Sequence, residues 1–349
     1  MTRPRTSGEN ADPETRTVLV LACGGTISST RSEGGATPTL GAEDLVAGLP
    51  NATPGLTIAS RTFSTIPSPH MTLDDVLRLH REIVRSVDAD ASITGVVVTH
   101  GTDTLEEVAF ALDVLWDRDI PIVITGAMRN PSTVAPDGMA NLAAAIATAA
   151  SDVAIGLGVL VVFNDEIHAA RFVRKGHPSN VSAFESPTVG RLGHITEGRP
   201  YLLLAPRSRP LLRSMLQGMV PTTAVAPVAL LKLTMGDDGR LLRHLLADGY
   251  CGLVVEGLGG GHVTPGFIES EALEEILRTI PVVLTTRAGT GVALHTTYDF
   301  VGSEIDLLRR GFVPTGILDG PKSRILLSLL LAGGAERTGV VAAFEQYAE

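Results

Sequence analysis

The sequence predicts an α/β protein with two domains: a larger N-terminal doubly wound domain with a mostly parallel sheet, and a smaller C-terminal Rossmann-like α/β domain. Apolar runs typical of buried strands alternate with helical patterns along most of the chain, as in βαβ units. The chain has 349 residues, more than one ordinary domain core needs. The alternation lapses once, in a proline- and arginine-rich stretch, and then resumes. We expect a disordered tail over 1–16, a catalytic domain over 17–206, a linker over 207–226 and a second domain over 227–349.

The predicted elements of the first domain follow in order from the apolar runs and the patterns between them. Strands are expected at "VLVL", "GVVVTH", "IPIVITGAM" and "LGVLVVFND", with helices at "TLEEVAFALDVLW" and "ANLAAAIATAAS". In the second domain we expect strands at "VALLKL", "GLVVEGLG" and "PVVLTT". Helices are expected at "RLLRHLLADG", "EALEEILRTI" and, as the closing element, "SRILLSLLLAG".

Composition and charge narrow the classes of partner. The net charge of −10, without a block of lysine and arginine, argues against a nucleic-acid partner. No run reaches the roughly 20 apolar residues of a membrane span, so we expect no membrane association. Although "VLAC" resembles a lipoprotein cleavage site, its apolar stretch is short and follows an acidic, polar leader, which favours a cytoplasmic protein. Cys23 and Cys251 are expected to be buried at strand ends, and the histidines lack metal-ligand spacing, so neither a metal nor a cofactor is predicted.

The stretch "LACGGTIS" ends the first predicted strand in two glycines and a hydroxyl. Gly24 and Gly25 allow a tight turn and a close approach of the backbone to a ligand. Open α/β sheets bind ligands beyond the carboxyl ends of their strands, which is where Thr26 lies. The octapeptide therefore predicts either a nucleophile or ligand-binding hydroxyl at Thr26, or simply a turn threonine.

The stretch "HGTDTLEE" opens the next predicted helix. Thr104 and Glu107 have the spacing of a capping box, in which each side chain bonds the other residue's backbone. Gly101, Thr102 and Asp103 then lie at a strand-to-helix junction, where free N–H groups favour a carboxylate. Thr102 offers a hydroxyl for attack on a carbonyl and Asp103 an acid that can hold an ammonium group, unless Asp103 only satisfies loop N–H groups.

Lys175, in "ARFVRKGHPSN", is the third candidate. Burial favours a neutral lysine while a nearby aspartate favours the charged form, and a balance between the two suits a proton shuttle for a threonine. A solvated surface lysine is the alternative interpretation.

Taken together, these motifs resemble the bacterial-type L-asparaginase and glutaminase-asparaginase family. The resemblance rests on "GGTIS", "HGTDT", "GAMRNPS" and "GVLVVFNDEIHAARFVRK", in the family's order and spacing, and runs from about residue 17 to the C-terminus. It implies that Thr26 is the nucleophile of an amidohydrolase and that Thr102, Asp103 and Lys175 form a second catalytic cluster. It also implies that Glu304 reaches the site from a neighbouring subunit, in a homodimer or homotetramer with shared active sites.

The resemblance further implies that Ser68 holds the α-carboxylate of a small-molecule amide substrate. The other positions that it assigns to substrate binding are Gly25, Pro69, Gly101, Ala127 and His262. Three positions depart from the family pattern. Ala36, or its neighbour Gly35, stands where the family has a loop tyrosine; Pro69 replaces a glutamine; and His262 replaces an asparagine. Tyr298 is a candidate to replace the missing tyrosine from a partner subunit.

We therefore expect hydrolysis of L-asparagine, or of a related side-chain amide, to the acid and ammonia through an acyl-enzyme. The departures leave open a bulkier amide substrate. A related amidotransferase subunit that supplies ammonia to a charged transfer RNA is disfavoured, because such proteins resemble this chain but carry a large domain before the first strand. A non-catalytic small-molecule binding protein is the alternative from another class. Ammonia release from asparagine distinguishes it from an enzyme.

Overall fold

The structure, a computed structural model, describes residues 16–32, 34–49, 55–206 and 225–348, with the backbone alone at 31, 32 and 36. The expected tail, up to residue 15, and the expected linker, up to residue 224, lie outside the described residues. Within the described ranges, no helix is long and apolar enough to cross a membrane.

The first domain is built on a sheet of eight described strands: β1 (Arg16–Ala22), β4 (Leu56–Thr62), β5 (Ile93–Thr99), β6 (Ile122–Thr125), β7 (Val159–Phe163), β8 (Glu166–Ala169), β11 (Gly193–Thr196) and β12 (Arg199–Leu202). Their spatial order is β12-β11-β8-β7-β6-β5-β1-β4. The strands from β4 to β7 pair in parallel and the last three are antiparallel. The short pairs β2 (Ser29–Ser32) with β3 (Gly35–Pro38), and β9 (Arg174–Lys175) with β10 (Phe184–Glu185), are hairpins outside this sheet.

Helices cover both faces of the large sheet, as its side-chain alternation requires. The helices are α1 (Ala42–Ala47), α2 (Leu73–Ala89), α3 (Leu105–Leu115) and α4 (Gly138–Ala149). Leu19 and Leu21 of β1 pack in a core with α2 and α3, whereas Val18 and Val20 pack on the opposite face with α1 and α4. Because successive strand residues point to opposite faces, a continuous apolar strand needs two such layers. The predicted doubly wound domain is confirmed.

The second domain is a smaller, fully parallel sheet. Its described strands are β13 (Val228–Lys232), β14 (Gly252–Gly257), β15 (Val282–Thr286) and β16 (Val313–Pro314). Its helices are α5 (Pro265–Ile268), α6 (Glu271–Thr279), α7 (Glu304–Arg309), α8 (Gly320–Ala332) and α9 (Arg337–Glu345). Helix α8 packs against α3 of the first domain, and one apolar core runs through both. The predicted smaller α/β domain is confirmed.

Three local predictions are wrong. The segment "RLLRHLLADG" forms only a 3₁₀ helix over Arg240–His244, in which Leu242 is buried and Leu241 is exposed to solvent. The expected closing helix, α8, is followed by α9. Cys251, the residue before β14, is exposed, while Cys23 is buried as expected.

Candidate active site

The carboxyl ends of four neighbouring strands meet at one edge of the large sheet. Ala22, the last residue of β1, pairs with Thr62 of β4 on one side and with Thr99 of β5 on the other, and Thr99 pairs with Thr125 of β6. The chain passes from β1 to β4 on one side and then to β5 on the other, so the strand order reverses here. Loops diverge at such a reversal and leave a crevice, which is where open α/β sheets bind ligands.

Two glycines bring the loops after β1 and β5 into backbone contact. Gly25 has φ 85° and ψ −174°, a conformation that essentially only glycine adopts. A Cβ on Gly25 would lie 2.3 Å from Gly101 Cα, and a Cβ on Gly101 would lie 2.6 Å from Ser68 Oγ. The absence of both side chains therefore brings together the segments that carry Thr26, Ser68 and Thr102.

Thr26 begins a short 3₁₀ helix, Thr26–Ser28, directly after the Gly25 turn. Its side chain is half-buried, and the neighbouring Ile27 and Ser28 are fully buried. Across the part of the chain that the structure describes, no hydrogen bond engages the Thr26 hydroxyl. The Gly25 turn sets the position of this hydroxyl at the start of the 3₁₀ helix. The nearby Cys23 is no competing nucleophile, because burial raises the pKa of its thiol to about 12.

Thr102, Asp103 and Lys175 form one hydrogen-bonded cluster, as the resemblance implied that they would. Lys175 Nζ donates to Thr102 Oγ1 at 2.9 Å and to Asp103 Oδ1 at 2.7 Å. The Lys175 side chain is 14% exposed, while that of Asp103 is 61% exposed. A hydroxyl, an amine and a carboxylate in this order are the elements of a proton shuttle: the amine exchanges a proton with the hydroxyl and the carboxylate holds the amine in place.

The predicted capping box at the start of α3 is wrong, although Thr104 is the N-cap. Its side chain makes no capping hydrogen bond, and the Thr104 hydroxyl instead donates to the Ser68 carbonyl at 3.0 Å. That bond joins the Ser68 loop to the helix start. The Thr104 hydroxyl therefore acts as a donor to a distant loop, where the local spacing had predicted an acceptor for its own helix.

The loop after β6 closes the crevice on the next side. A Cβ on Gly126 would lie 2.4 Å from the His100 carbonyl oxygen and 3.5 Å from Thr102 Cγ2, so the backbone just before Ala127 lies close to the segment that carries Thr102. The ring of His100 is fully buried beneath it, between the Gly101 carbonyl and the Met71 sulfur. Burial lowers the His100 pKa to about 4, so the ring is neutral at physiological pH.

Glu304 and His262 form a second cluster, in the second domain. Glu304 accepts backbone N–H bonds from Thr297 at 2.7 Å and Tyr298 at 2.6 Å, and His262 Nε2 lies 2.9 Å from its other oxygen. Burial opposes ionisation, but the hydrogen bonds prevail and the pKa of Glu304 lies below its ordinary range. The carboxylate is fully buried, whereas the His262 ring is 20% exposed between Tyr298 and Phe300. None of these hydrogen bonds reaches the first cluster.

Two of the departures from the family pattern lie on segments next to Ser68 and Thr26. Pro69 lies in the 3₁₀ helix Ser68–His70, where its missing N–H leaves no backbone donor next to Ser68. Residues Gly35 and Ala36 belong to β3, which pairs with β2 immediately after the Thr26 turn. Ala127, which the resemblance assigns to substrate binding, is fully buried.

Sequence reasoning missed Glu106, whose carboxylate accepts the backbone N–H of Lys175. It lies in the first turn of α3, beside the Glu107 that the capping-box pattern singled out. Glu106 lies 69 positions before Lys175 in the sequence. No local signal indicates that Glu106, rather than the adjacent Glu107, bonds Lys175. Among the described residues, no group of three or more His, Cys, Asp and Glu side chains is arranged to hold a metal ion.

A crevice with paired threonines, a lysine and an aspartate, at the switch point of a doubly wound sheet, is suited to acyl transfer. Comparisons with known proteins identify the family. The asparaginase N-terminal domain matches residues 17–207, and the glutaminase/asparaginase C-terminal domain matches residues 227–344. The chain belongs to the asparaginase family and is an amidohydrolase that acts on a C–N amide bond.

Similar proteins extend over nearly the whole chain. It is 35% identical to an L-asparaginase of Bacillus licheniformis, over 91% of this chain and 96% of that protein. It is 32% identical to L-asparaginase 2 of Escherichia coli, over 95% and 93% of the two chains. Among solved structures, a probable cytoplasmic L-asparaginase from Campylobacter jejuni matches with a TM-score of 0.81 and 29% identity, over 95% of this chain and all of that one.

Proposed function

We propose that the protein hydrolyses L-asparagine and that Thr26 is the nucleophile. The Thr26 oxygen attacks the side-chain amide carbon, the C–N bond breaks, and ammonia leaves with the proton that the hydroxyl gives up. Water then attacks the resulting ester, which releases aspartate and restores the hydroxyl. The observation that carries the proposal is the Lys175 bridge between Thr102 and Asp103, beside the Gly25–Gly101 contact. It supplies a proton route next to the nucleophile.

Ammonia release and intermediate trapping test this assignment. Thr26→Ala should abolish most of the ammonia release from asparagine and leave no acyl-enzyme in rapid-quench mass spectra. Folding stability should change little, because the lost group is a half-buried loop hydroxyl. Thr102→Ala should slow formation of the acyl-enzyme on Thr26 without moving it to another residue. An acyl adduct on Thr102 in the parent enzyme, or undiminished turnover by Thr26→Ala, would refute Thr26 as the nucleophile.

We also propose that active sites are shared in a homodimer or homotetramer, with the Glu304 cluster contributed by a second copy of this chain. Large apolar side chains on the segment that leads to Glu304 are exposed: Val292, Leu294, Tyr298, Phe300 and Val301, each between 36% and 55%. Several exposed apolar side chains on one segment next to a buried carboxylate suit a contact between copies. In the single chain the Glu304 carboxylate is fully buried, whereas His262 is partly exposed. Of the two, His262 is therefore the residue that can contact a neighbouring copy directly.

Complementation between inactive variants tests the shared site. Mixing dissociated Thr26→Ala and Glu304→Gln chains should regenerate some intact sites. Random pairing in a two-site dimer restores roughly a quarter of all sites. The glutamine variant preserves the shape of the buried side chain, so that lost activity is not merely misfolding. Two results would refute sharing: activity after reassembly no higher than that of either variant alone, or an active monomer in ultracentrifugation.

A bulkier side-chain amide is the second candidate substrate. Pro69 removes a donor beside Ser68, and His262 presents a ring where the family has an asparagine. Both changes concern recognition of the substrate, whereas the Thr102, Asp103 and Lys175 cluster is intact. A panel of N-substituted and longer amides, compared by kcat/KM with asparagine, decides between the two substrates.

The division of the chain and its location are further proposals. The two family matches leave 208–226 between them, which supports a linker over 207–226 between domains at 17–206 and 227–349. The cytoplasmic location that the sequence favours is supported by the Campylobacter jejuni neighbour, described as probable cytoplasmic, although a relative in Haemophilus influenzae is described as periplasmic. Cell fractionation with antibody detection tests it.

A further inference from the structure

Lys175 lies on a very short strand, and its backbone N–H is bonded by a side chain. Strand β9 consists of Arg174 and Lys175 alone, paired with β10. The Lys175 N–H donates to the Glu106 carboxylate and not to the neighbouring strand. Since a buried N–H without a partner is costly, Glu106 contributes directly to the position of this backbone.

Helix α3, which carries this carboxylate, packs against α8 of the second domain. Lys322, in the first turn of α8, is 2% exposed and donates to Asp319 at 2.9 Å. Burial raises the pKa of Glu106, and the Lys322 charge and the Lys175 N–H oppose that effect. Burial prevails, so the protein environment favours the neutral form of Glu106 more than water does, and either form offers the Lys175 N–H an acceptor oxygen.

The residue before Lys175 is tied to the second domain as well. Arg174 donates to the Gly289 carbonyl at 2.8 Å, and its guanidinium also bonds Glu185 of β10 at 3.2 Å. The two-residue strand is thus held from α3 through Glu106 and from the second domain through Arg174. Its placement depends on how the domains pack.

We propose that Glu106 is a positioning residue for Lys175: its carboxylate fixes the backbone from which the lysine reaches Thr102 and Asp103. This inference rests on the proposed role of Lys175 in proton transfer. Glu106 touches no reacting atom. It acts through the backbone of Lys175, which sets the point from which the flexible side chain reaches the site.

Glu107 offers a matched control. It is the adjacent acidic residue in the same turn of α3, burial raises its pKa as well, and the Arg324 charge of α8 opposes that shift. The two glutamates therefore share the helix turn, the charge and a pKa that burial raises, but of the two it is Glu106 that bonds Lys175.

The test compares Glu106→Ala, Glu106→Gln and Glu107→Ala in the full-length protein by two measurements. The first is hydrogen exchange at the Lys175 amide, followed by mass spectrometry. Glu106→Ala should lose protection there, while Glu107→Ala should keep it. The second is steady-state hydrolysis of asparagine, in which Glu106→Ala should lower kcat roughly 10- to 100-fold with little change in KM. Glu106→Gln retains an acceptor oxygen and should recover most of both.

The outcomes separate this proposal from the proposed function. If Lys175→Met stays active while Glu106→Ala still loses amide protection, the role of Lys175 in catalysis is wrong and the positioning contact stands. If Lys175→Met is inactive but Glu106→Ala matches Glu107→Ala in exchange and in kcat, the positioning role is overturned.

Discussion

Replacing Gly25 by alanine should disable the site while leaving the fold largely intact. The alanine Cβ would lie 2.3 Å from Gly101 Cα and 2.4 Å from its nitrogen, whereas ordinary contact begins near 3.4 Å. The loops that carry Thr26 and Thr102 must therefore separate by about 1 Å. A displacement of that size in a catalytic constellation costs about 100-fold in rate. The backbone conformation at Gly25 adds strain of roughly 1–3 kcal/mol for any other residue.

Gly190→Ala is the control for backbone strain without the contact. Gly190 has φ 81° and lies on an exposed loop, and a Cβ at this position would have no described heavy atom within 4 Å. The variant should lose about 1 kcal/mol of stability and keep its activity.

The assay has two parts, urea unfolding of both variants and kcat for ammonia release per folded molecule. We expect Gly25→Ala to remain folded and to lose about 100-fold in kcat, with Gly190→Ala within about twofold of the parent. If the two variants have equal kcat, the close contact of the loops does not set the geometry of the site, and the reasoning fails.

Three further predictions concern single side chains. Lys175→Arg should lose about 10²- to 10⁴-fold in kcat, as much as Lys175→Met, because a guanidinium does not give up its proton. An active arginine variant would show that positive charge alone is needed. Pro69→Gln should lower the KM for asparagine about tenfold by restoring donors beside Ser68, and an unchanged KM in initial-rate measurements would contradict this. Folded His100 has a pKa of about 4 against an ordinary 6.5, so its contribution to stability is complete above pH 6.5 and is lost as the pH falls towards 4. The full loss of unfolding free energy is about 3 kcal/mol. The urea midpoints at pH 7.5 and pH 4.5 should therefore differ less in His100→Gln than in the parent. An equal difference would refute the assignment.

Much of the fold was predictable because the signals are local. The apolar run from Val18 to Leu21 and the helical pattern from Leu105 to Leu115 depend on periodicity within a few residues, and both elements form as expected. The opposite case is "RLLRHLLADG", whose apolar residues suggested a helix. Only the packing around it determined that Leu241 would face solvent.

The candidate site divides in the same way. A turn and a hydroxyl at a strand end are predicted by Gly24, Gly25 and Thr26. Parallel strands bring their carboxyl ends to one edge of the sheet. The sequence motifs therefore located Thr26 and Thr102. They could not show that the Thr104 hydroxyl would bond Ser68 rather than its own helix, nor that Glu304 would be buried beneath His262.

The sequence by itself determined the alternation of strands and helices, the two domains, and the placement of hydroxyls at the strand ends, because turn chemistry and apolar periodicity act over short distances. Only the tertiary structure decided which polar groups would pair. Glu106 rather than Glu107 bonds Lys175, although the two are adjacent and chemically identical. A hydrogen bond goes to whichever acceptor the folded chain brings within about 3 Å, and that choice depends on contacts between distant segments.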